Sequence, residues 1–194
     1  MKKQKVVEQP TTLQLKQELV RVKYKSRYRS VLRSTLYTLI TVAAVAILIA
    51  TLWLPVLQIY GTSMSPTLKD GEVVVTVKTS NFETGDIVSF YYNNKILIKR
   101  VIAKAGDWVN IDEDGTVFIN DIPLEEPYLK EKAFGDTNID LPYQVPDGKI
   151  FVMGDHRSTS LDSRNTSVGC VSQEQIVGKI VYCIWPLNRL RLVE

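Results

Sequence analysis

The sequence predicts a mainly β protein that begins with a single transmembrane helix. Two observations lead to this prediction: an uncharged apolar run near the amino terminus, and a later series of short segments rich in β-branched and aromatic residues. With 194 residues, 45% of them hydrophobic, and only two cysteines, the chain is neither disordered nor a disulfide-built scaffold. We expect one domain with a membrane anchor as an appendage.

Residues 1–33 form a basic segment. They include ten Lys and Arg against two Glu, a local balance of +8, whereas the rest of the chain carries 14 basic and 19 acidic residues. The position of this segment beside an apolar run favours contact with the anionic headgroups of a lipid bilayer over binding to nucleic acid. Because basic flanks are retained in the cytoplasm, we expect residues 1–33 to be cytoplasmic.

Residues 34–57 are predicted to form the transmembrane helix. Ser34 to Leu54 reads STLYTLITVAAVAILIATLWL, which supplies the ~20 apolar residues that a helix needs to cross a bilayer. A buried helix of a soluble protein would show one polar face, and a cleaved signal sequence has a shorter apolar core after a shorter basic segment. The helix is therefore expected to remain as a single-pass anchor in the cell membrane, with residues 58–194 outside the cytoplasm.

Short strands separated by turn residues are predicted after the anchor. The expected strands are Glu72–Val77, Asp86–Tyr92, Lys95–Ala103, Trp108–Ile111, Thr116–Ile119, Lys149–Met153 and Ile176–Trp185. No long amphipathic helix interrupts them. We therefore expect an extracytoplasmic domain built as an antiparallel β-sandwich or open barrel, in which residues 106–148 form a smaller, irregular subdomain.

Two segments contain a hydroxyl and an amine of chemical interest. Ser63 lies in an uncharged turn just outside the membrane, where serine is ordinarily only a turn former. In the strand Lys95–Ala103, the two-residue period places Lys99 and Arg100 on opposite faces, so one of these cations must share an apolar face. A buried lysine can be neutral near pH 7 and act as a general base. Pairing with a carboxylate, or snorkelling to the sheet edge, is the other interpretation of this lysine.

A third segment, Gly154–Arg164, gathers charged and hydroxyl side chains in a loop after an apolar strand, a position where catalytic groups are often held. It contains His156, the single histidine of the chain. Its other interpretation is a solvated loop tied by an ion pair between Asp162 and Arg164. The spacing of His and Cys residues gives no support for a metal site, and no cofactor is expected.

Together these segments resemble the bacterial type I signal peptidases, membrane-bound serine proteases with a Ser/Lys dyad. Residues 63–68, SMSPTL, match the family's nucleophile box, and Lys99-Arg100-Val101 followed by Gly106-Asp107 matches its lysine box. A third box is matched by Gly154-Asp155, Arg157, Ser160, Asp162-Ser163-Arg164 and Gly169. The resemblance extends from Pro55 to about Gly178.

The resemblance implies the role of each matching residue. Ser63 is the nucleophile and Lys99 the general base, a pairing that makes chemical sense because a serine hydroxyl attacks well only once a base takes its proton. The resemblance further implies that Ser160 hydrogen-bonds and orients Lys99, and that Asp162 and Arg164 form a structural pair. The substrates would be preproteins bearing amino-terminal signal peptides, cut after small residues near the secretion machinery.

The chain departs from the family pattern at several positions. Gly61 stands where some members place a serine as a side-chain oxyanion donor, so the Ser63 backbone amide, aided by Thr62, would hold the oxyanion. Ala103 and Ala105 replace a glycine and a proline of the lysine box. His156 stands at a position that is often asparagine, so a triad of Ser63, His156 and Asp155 is an alternative to the dyad.

Three questions stay open at this stage. Cys170 and Cys183 could pair outside the cytoplasm or remain separate, small buried residues. The chain could also be a non-catalytic, membrane-tethered β module that acts as an assembly or binding factor. The presence of both Ser63 and Lys99 favours the enzyme, because a degenerate member would be expected to lose one of them. A self-cleaving, repressor-like Ser/Lys peptidase is the third alternative, and the anchor argues against it.

Overall fold

A computed structural model describes residues 10–193, without the side chains of residues 51–53. The first nine residues of the predicted basic segment therefore lie outside the described part, as does Glu194. By its internal contacts the chain divides into two units, residues 1–49 and 50–194.

The amino-terminal unit is helical. A helix, α1, spans Thr12–Trp53 without interruption, and its residues 12–50 are long and apolar enough to cross a membrane. The helix therefore begins well before the predicted span, because residues 12–33 contain no glycine or proline that would break it. It also ends before residue 57, the predicted boundary, because Pro55 cannot continue a helix and Val56–Gln58 forms a strand instead.

The second unit is built from short strands. In chain order they are β1 (Val56–Gln58), β2 (Val73–Val77), β3 (Ile87–Tyr92), β4 (Lys95–Ala103), β5 (Trp108–Ile111), β6 (Val117–Ile119), β7 (Ile122–Pro123), β8 (Tyr143–Gln144), β9 (Lys149–Met153), β10 (Val171–Ser172), β11 (Ile176–Trp185) and β12 (Arg191–Leu192). Two 3₁₀ turns, Gln173–Gln175 and Leu187–Arg189, flank β11.

The strands form two antiparallel sheets. The larger has the order β1-β2-β11-β3-β4-β9-β10, with β12 paired to β11, and the smaller has the order β7-β6-β5-β8. The prediction of a mainly β, antiparallel fold after one apolar helix is confirmed. The four strands of the smaller sheet all come from residues 108–144, inside the predicted subdomain.

The hairpin of β3 and β4 positions one half of the site. Tyr92 pairs with Lys95 across a two-residue turn, in which Asn93 has a φ of 49°, a conformation that asparagine tolerates well. On its other edge β4 pairs with β9, so that Arg100 lies opposite Met153. The loop that follows Met153 consequently begins beside the middle of β4, where Lys99 lies.

Buried apolar side chains fix the segment that carries Ser63. Met64 and Leu68 are both fully enclosed, and they pack in one core cluster with Ile59, Val74 and Ile180. Full burial of each such side chain stabilises the fold by roughly 1.5–3 kcal/mol. Because the residues on both sides of Ser63 are anchored in this way, the serine has a defined place against the larger sheet.

Candidate active site

Ser63 lies in an irregular loop between β1 and β2, with the side chain half-buried. The main-chain oxygen of Ser63 accepts a hydrogen bond of 3.0 Å from the amide of His156, and Leu68 N–H donates to Met64 O at 2.9 Å. The loop is thus held by its own turn and by the segment after β9.

Lys99 reaches this serine from β4. Its Nζ is 2.8 Å from Ser63 Oγ, a hydrogen-bonding distance. Lys99 is 3% exposed, and Arg100 beside it is equally enclosed, although the alternation of the strand required only one of the two cations to be buried. The structure therefore brings together the two residues that were predicted to react, 36 positions apart in the sequence.

The environment of Lys99 favours its neutral form. Burial lowers the pKa of Lys99 from its ordinary 10.5 to about 8, while Asp162 and Asp155 raise it and Arg164 lowers it. Desolvation dominates because an ammonium loses more hydration on burial than a neutral amine does. A neutral amine within hydrogen-bond distance of a serine hydroxyl is the arrangement that general-base catalysis needs.

The backbone around Ser63 offers a donor for a developing oxyanion. Within the described residues, the Ser63 N–H has no protein acceptor, whereas Gly61 N–H is bound to Asp70 Oδ1 at 2.7 Å. Thr62, the second predicted contributor, is exposed, and its carbonyl accepts from Ser65 N–H at 2.9 Å. The Ser63 amide is therefore available to a ligand at this site.

The hydrogen bond expected between Ser160 and Lys99 is not formed. Ser160 is buried, yet its Oγ has no hydrogen-bond partner among the described residues. The hydroxyl is instead packed against Gly154: a methyl group on that glycine would lie 2.2 Å from Ser160 Oγ and 2.6 Å from the Ser63 carbonyl oxygen. The prediction fails because resemblance placed Ser160 in the right loop but could not give the direction of its side chain.

Asp162 and Arg164 form a fully enclosed ion pair. Arg164 Nε donates to Asp162 Oδ1 and Arg164 Nη2 donates to Asp162 Oδ2, both at 2.9 Å. The arginine also donates to the carbonyls of Phe134 and Arg157, at 2.8 and 2.9 Å. Asp162 Oδ2 in turn accepts from Gly154 N–H at 3.0 Å. The pair thereby holds the backbone of the loop beside Lys99 at Gly154 and Arg157, and ties the loop to the segment that contains Phe134.

Arg100 and Asp155 form a second buried ion pair, which the sequence analysis did not predict. Arg100 Nε and Nη2 donate to the two carboxylate oxygens of Asp155, at 3.0 and 2.9 Å. Thr67, four residues after Ser63, donates to the same carboxylate at 2.5 Å. The position of Arg100 next to Lys99 in an apolar strand was a signal that it needed a buried partner.

Two further buried or half-buried contacts were not predicted: the partner of Arg157, which the sequence analysis named only as part of the third box, and Arg191 with its partners. Arg157 is buried and paired with Glu126, 31 positions away. Arg191 donates to the Thr67 carbonyl at 2.6 Å and to the buried carboxylate of Glu72 at 3.0 Å. These partners are distant in the sequence, so no local pattern could have paired them.

The alternative triad is not assembled. His156 is exposed, and its Nδ1 lies 2.5 Å from Thr159 Oγ1. Asp155, the acid of that triad, accepts from Arg100 and Thr67. The chemistry of Ser63 consequently has Lys99, and not His156, as its nearest base.

The two cysteines are not paired with each other. Cys170 packs in the core cluster next to the smaller sheet, and Cys183 in the cluster beneath Met64. Burial raises the pKa of the Cys170 thiol to about 11 and also raises that of Cys183. Both cysteines are therefore small buried residues and not reactive thiolates. In the described part of the chain, no group of three or more His, Cys, Asp or Glu residues is arranged to hold a metal ion.

A small cavity adjoins Ser63 and Lys99. Its volume is about 70 Å³. One wall is formed by Gln58, Ile59, Tyr60 and Gly61, and the other by Ile96, Leu97 and Ile98. The cavity is lined by both polar and apolar groups and has room for a small side chain next to the nucleophile.

Comparison with known proteins places the chain in a family. A family model described as signal peptidase, peptidase S26, matches residues 32–185. Signal peptidase I U of Bacillus subtilis is 37% identical over 166 residues, covering 79% of this chain and 88% of its own. Signal peptidase IB of Staphylococcus aureus is 38% identical over 153 residues, covering 69% and 78%. The chain therefore belongs to the signal peptidase family, peptidase S26, as the sequence analysis expected.

A solved structure was also found. It is a signal peptidase I from Enterococcus faecalis that is 30% identical to the chain. The match covers 51% of this chain and 96% of that one, with a TM-score of 0.44.

Proposed function

We propose that the protein is a membrane-bound serine endopeptidase that removes amino-terminal signal peptides from exported preproteins. The family assignment supports the reaction class, and one observation carries the mechanism: the 2.8 Å contact between Lys99 Nζ and Ser63 Oγ in a largely dehydrated setting. No cofactor takes part in the proposed reaction.

In the first half of the reaction, Ser63 Oγ attacks the scissile carbonyl carbon while its proton passes to the neutral Nζ of Lys99. The Ser63 amide donates to the oxyanion, with Thr62 as the second contributor. Collapse of the tetrahedral intermediate breaks the peptide bond, and Lys99 gives the proton to the leaving amine of the mature protein.

In the second half, water attacks the ester that joins the signal peptide to Ser63. Lys99, neutral again, takes a proton from that water and gives it to Ser63 Oγ as the ester bond breaks. The signal peptide is released with a free carboxylate, and the serine hydroxyl is restored. Asp162 and Arg164 serve this cycle as a structural pair that holds the loop beside Lys99.

The cavity beside Ser63 supports a preference for small side chains. A volume of about 70 Å³ accommodates a methyl or hydroxymethyl group but not an aromatic ring. This size fits an A-x-A sequence before the cleavage site, in which the residue preceding the scissile bond is alanine.

For the membrane arrangement, we place residues 1–33 in the cytoplasm, the span within residues 34–57, and the peptidase domain, residues 58–194, on the outer face, with residues 106–148 as its smaller part. The basic segment would contact anionic headgroups, and the substrates would arrive from the secretion machinery. Protease added to sealed protoplasts should digest the domain and spare an amino-terminal tag. Loss of the tag instead would reverse this orientation.

The proposed activity is tested with the detergent-purified protein and a preprotein that carries an A-x-A site. Wild type should release the mature protein, Ser63→Ala should not, and Ser65→Ala, a matched change in the same loop, should retain cleavage. Equal processing by wild type and Ser63→Ala would refute the mechanism. A non-catalytic β module, the alternative function, would leave the preprotein uncut in every case.

A further inference from the structure

Two side chains from an irregular segment reach the buried arginines behind the active site. The segment between β7 and β8 contains no strand, yet Glu126 Oε2 accepts from Arg157 Nη1 at 3.1 Å, and Glu126 Oε1 accepts from Arg157 Nη2. Both side chains are at most 1% exposed. Tyr128 donates its hydroxyl proton to Glu126 Oε1 at 2.9 Å, and its ring centre lies 3.8 Å from the guanidinium carbon of Arg100.

The two arginines hold the turn that supports the nucleophile. Arg157 Nε donates to Gly154 O at 3.1 Å, and Arg100 binds the Asp155 carboxylate with two nitrogens. The next residue of this turn, His156, donates its amide proton to Ser63 O at 3.0 Å. A continuous set of contacts therefore runs from Glu126 and Tyr128, through the two arginines, to the main chain of Ser63.

Glu126 also completes the charge balance around the site. Arg100 and Arg164 are paired with Asp155 and Asp162, whereas Arg157 has its carboxylate partner outside this loop, in Glu126. A buried guanidinium without a partner would be driven to reorient toward water. Such a reorientation would remove the donor that holds the Gly154 carbonyl.

We infer that Glu126 and Tyr128 are positioning residues for the reaction of Ser63 and Lys99, acting through Arg157 and Arg100 on the turn that holds Ser63. The inference rests on the proposed function. Neither residue lines the cavity beside Ser63, so their loss should misalign the reacting atoms without changing the fit of the substrate. The expected signature is a fall in kcat with an unchanged KM.

A purely structural role would give a different result. If the segment only stabilised the fold, variants would unfold at lower temperature, but each folded molecule would cleave at the wild-type rate. The rate per folded molecule therefore distinguishes positioning from stability, because a misplacement of about 1 Å can lower a rate by about 10²-fold.

The test uses the full chain in detergent, a preprotein with an A-x-A site, and rates normalised to the folded fraction. Tyr128→Phe keeps the ring over Arg100 and should retain kcat within about twofold, because the cation–π contact persists. Tyr128→Leu and Glu126→Gln should lower kcat by about tenfold or more at constant KM. Glu125→Gln, an exposed neighbour, should match wild type.

Wild-type kcat in Tyr128→Leu would overturn the inference. Tyr128→Leu leaves no buried charge without a partner, so it tests the positioning role even if Glu126→Gln fails to fold. Ser63→Ala is measured in the same series. Cleavage by Ser63→Ala would mean that the proposed function itself is wrong, whereas an inactive Ser63→Ala beside a fully active Tyr128→Leu would reject only the positioning role.

Discussion

The pH dependence of cleavage should report the titration of Lys99. Burial brings the pKa of Lys99 from 10.5 to about 8. At pH 7 about one Lys99 side chain in ten is then neutral, against about one in 3,000 if its pKa were the ordinary 10.5. The fraction of enzyme with a neutral Lys99 is therefore roughly 300-fold larger. With each pKa unit equal to about 1.4 kcal/mol, this preference for the neutral amine amounts to about 3 kcal/mol.

The assay is the initial rate of preprotein cleavage at substrate concentrations well below KM, measured from pH 5.5 to 10. Under these conditions kcat/KM follows the free enzyme, so the rate should rise about tenfold per pH unit and level off near pH 8. Lys99→Arg should be inactive throughout, because a guanidinium keeps its proton. Each enzyme sample is afterwards returned to one reference pH and its activity is measured there, to exclude irreversible inactivation.

Two results would refute this reasoning. A rate that still rises without levelling off up to pH 10 would mean that Lys99 is solvated and not desolvated in the working enzyme. A pH dependence of cleavage that disappears in His156→Asn would identify the histidine as the base and restore the triad.

Three further predictions concern single residues. Replacing Lys99 with Met should raise the free energy of unfolding at pH 7 by up to about 3 kcal/mol. The pKa of Lys99 is lower in the folded state than in the unfolded state, so the wild type gains stability as pH rises from about 8 to 10.5. Denaturant titrations over this range should therefore show the difference in free energy of unfolding between Lys99→Met and wild type becoming smaller. Gly154→Ala should destabilise by about 1–3 kcal/mol and lower activity, because the new methyl would overlap Ser160 and the Ser63 carbonyl, and a thermal melt with wild-type stability would contradict this. His156→Asn should cleave within about twofold of wild type, since the imidazole is exposed, and an inactive variant would reject the dyad.

The parts of the fold that were predictable from sequence depend on local pattern. The β-branched and aromatic residues of β3 and β4 were sufficient to predict both strands. The uncharged run after Arg33 was likewise sufficient to predict a helix that is long and apolar enough to cross a membrane. Very short strands such as β1 and β12 were missed, because two or three residues carry no periodicity and form only by pairing with β2 and β11.

In the candidate site, the two reacting residues were predictable from the sequence, but most of the contacts that support them were not. Ser63 and Lys99 could be named because their boxes are contiguous in sequence. The pair of Asp162 and Arg164 could also be named, but the partners of Arg100 and Arg157 could not, because Glu126 and Arg157, for example, meet only through tertiary packing across 31 positions. The Ser160 hydroxyl was assigned to Lys99, but its direction depends on the absence of a side chain at Gly154, which is a property of the packed loop.

The central claim is that Ser63 is the nucleophile of a signal-peptide-cleaving reaction. It is tested most directly by quenching the enzyme with acid during turnover of an A-x-A preprotein and locating any adduct by peptide mass mapping. The account predicts the signal peptide joined through its carboxyl end to Ser63 in wild type and no adduct in Ser63→Ala. An adduct on any other residue, or cleavage by Ser63→Ala at the wild-type rate, would contradict it.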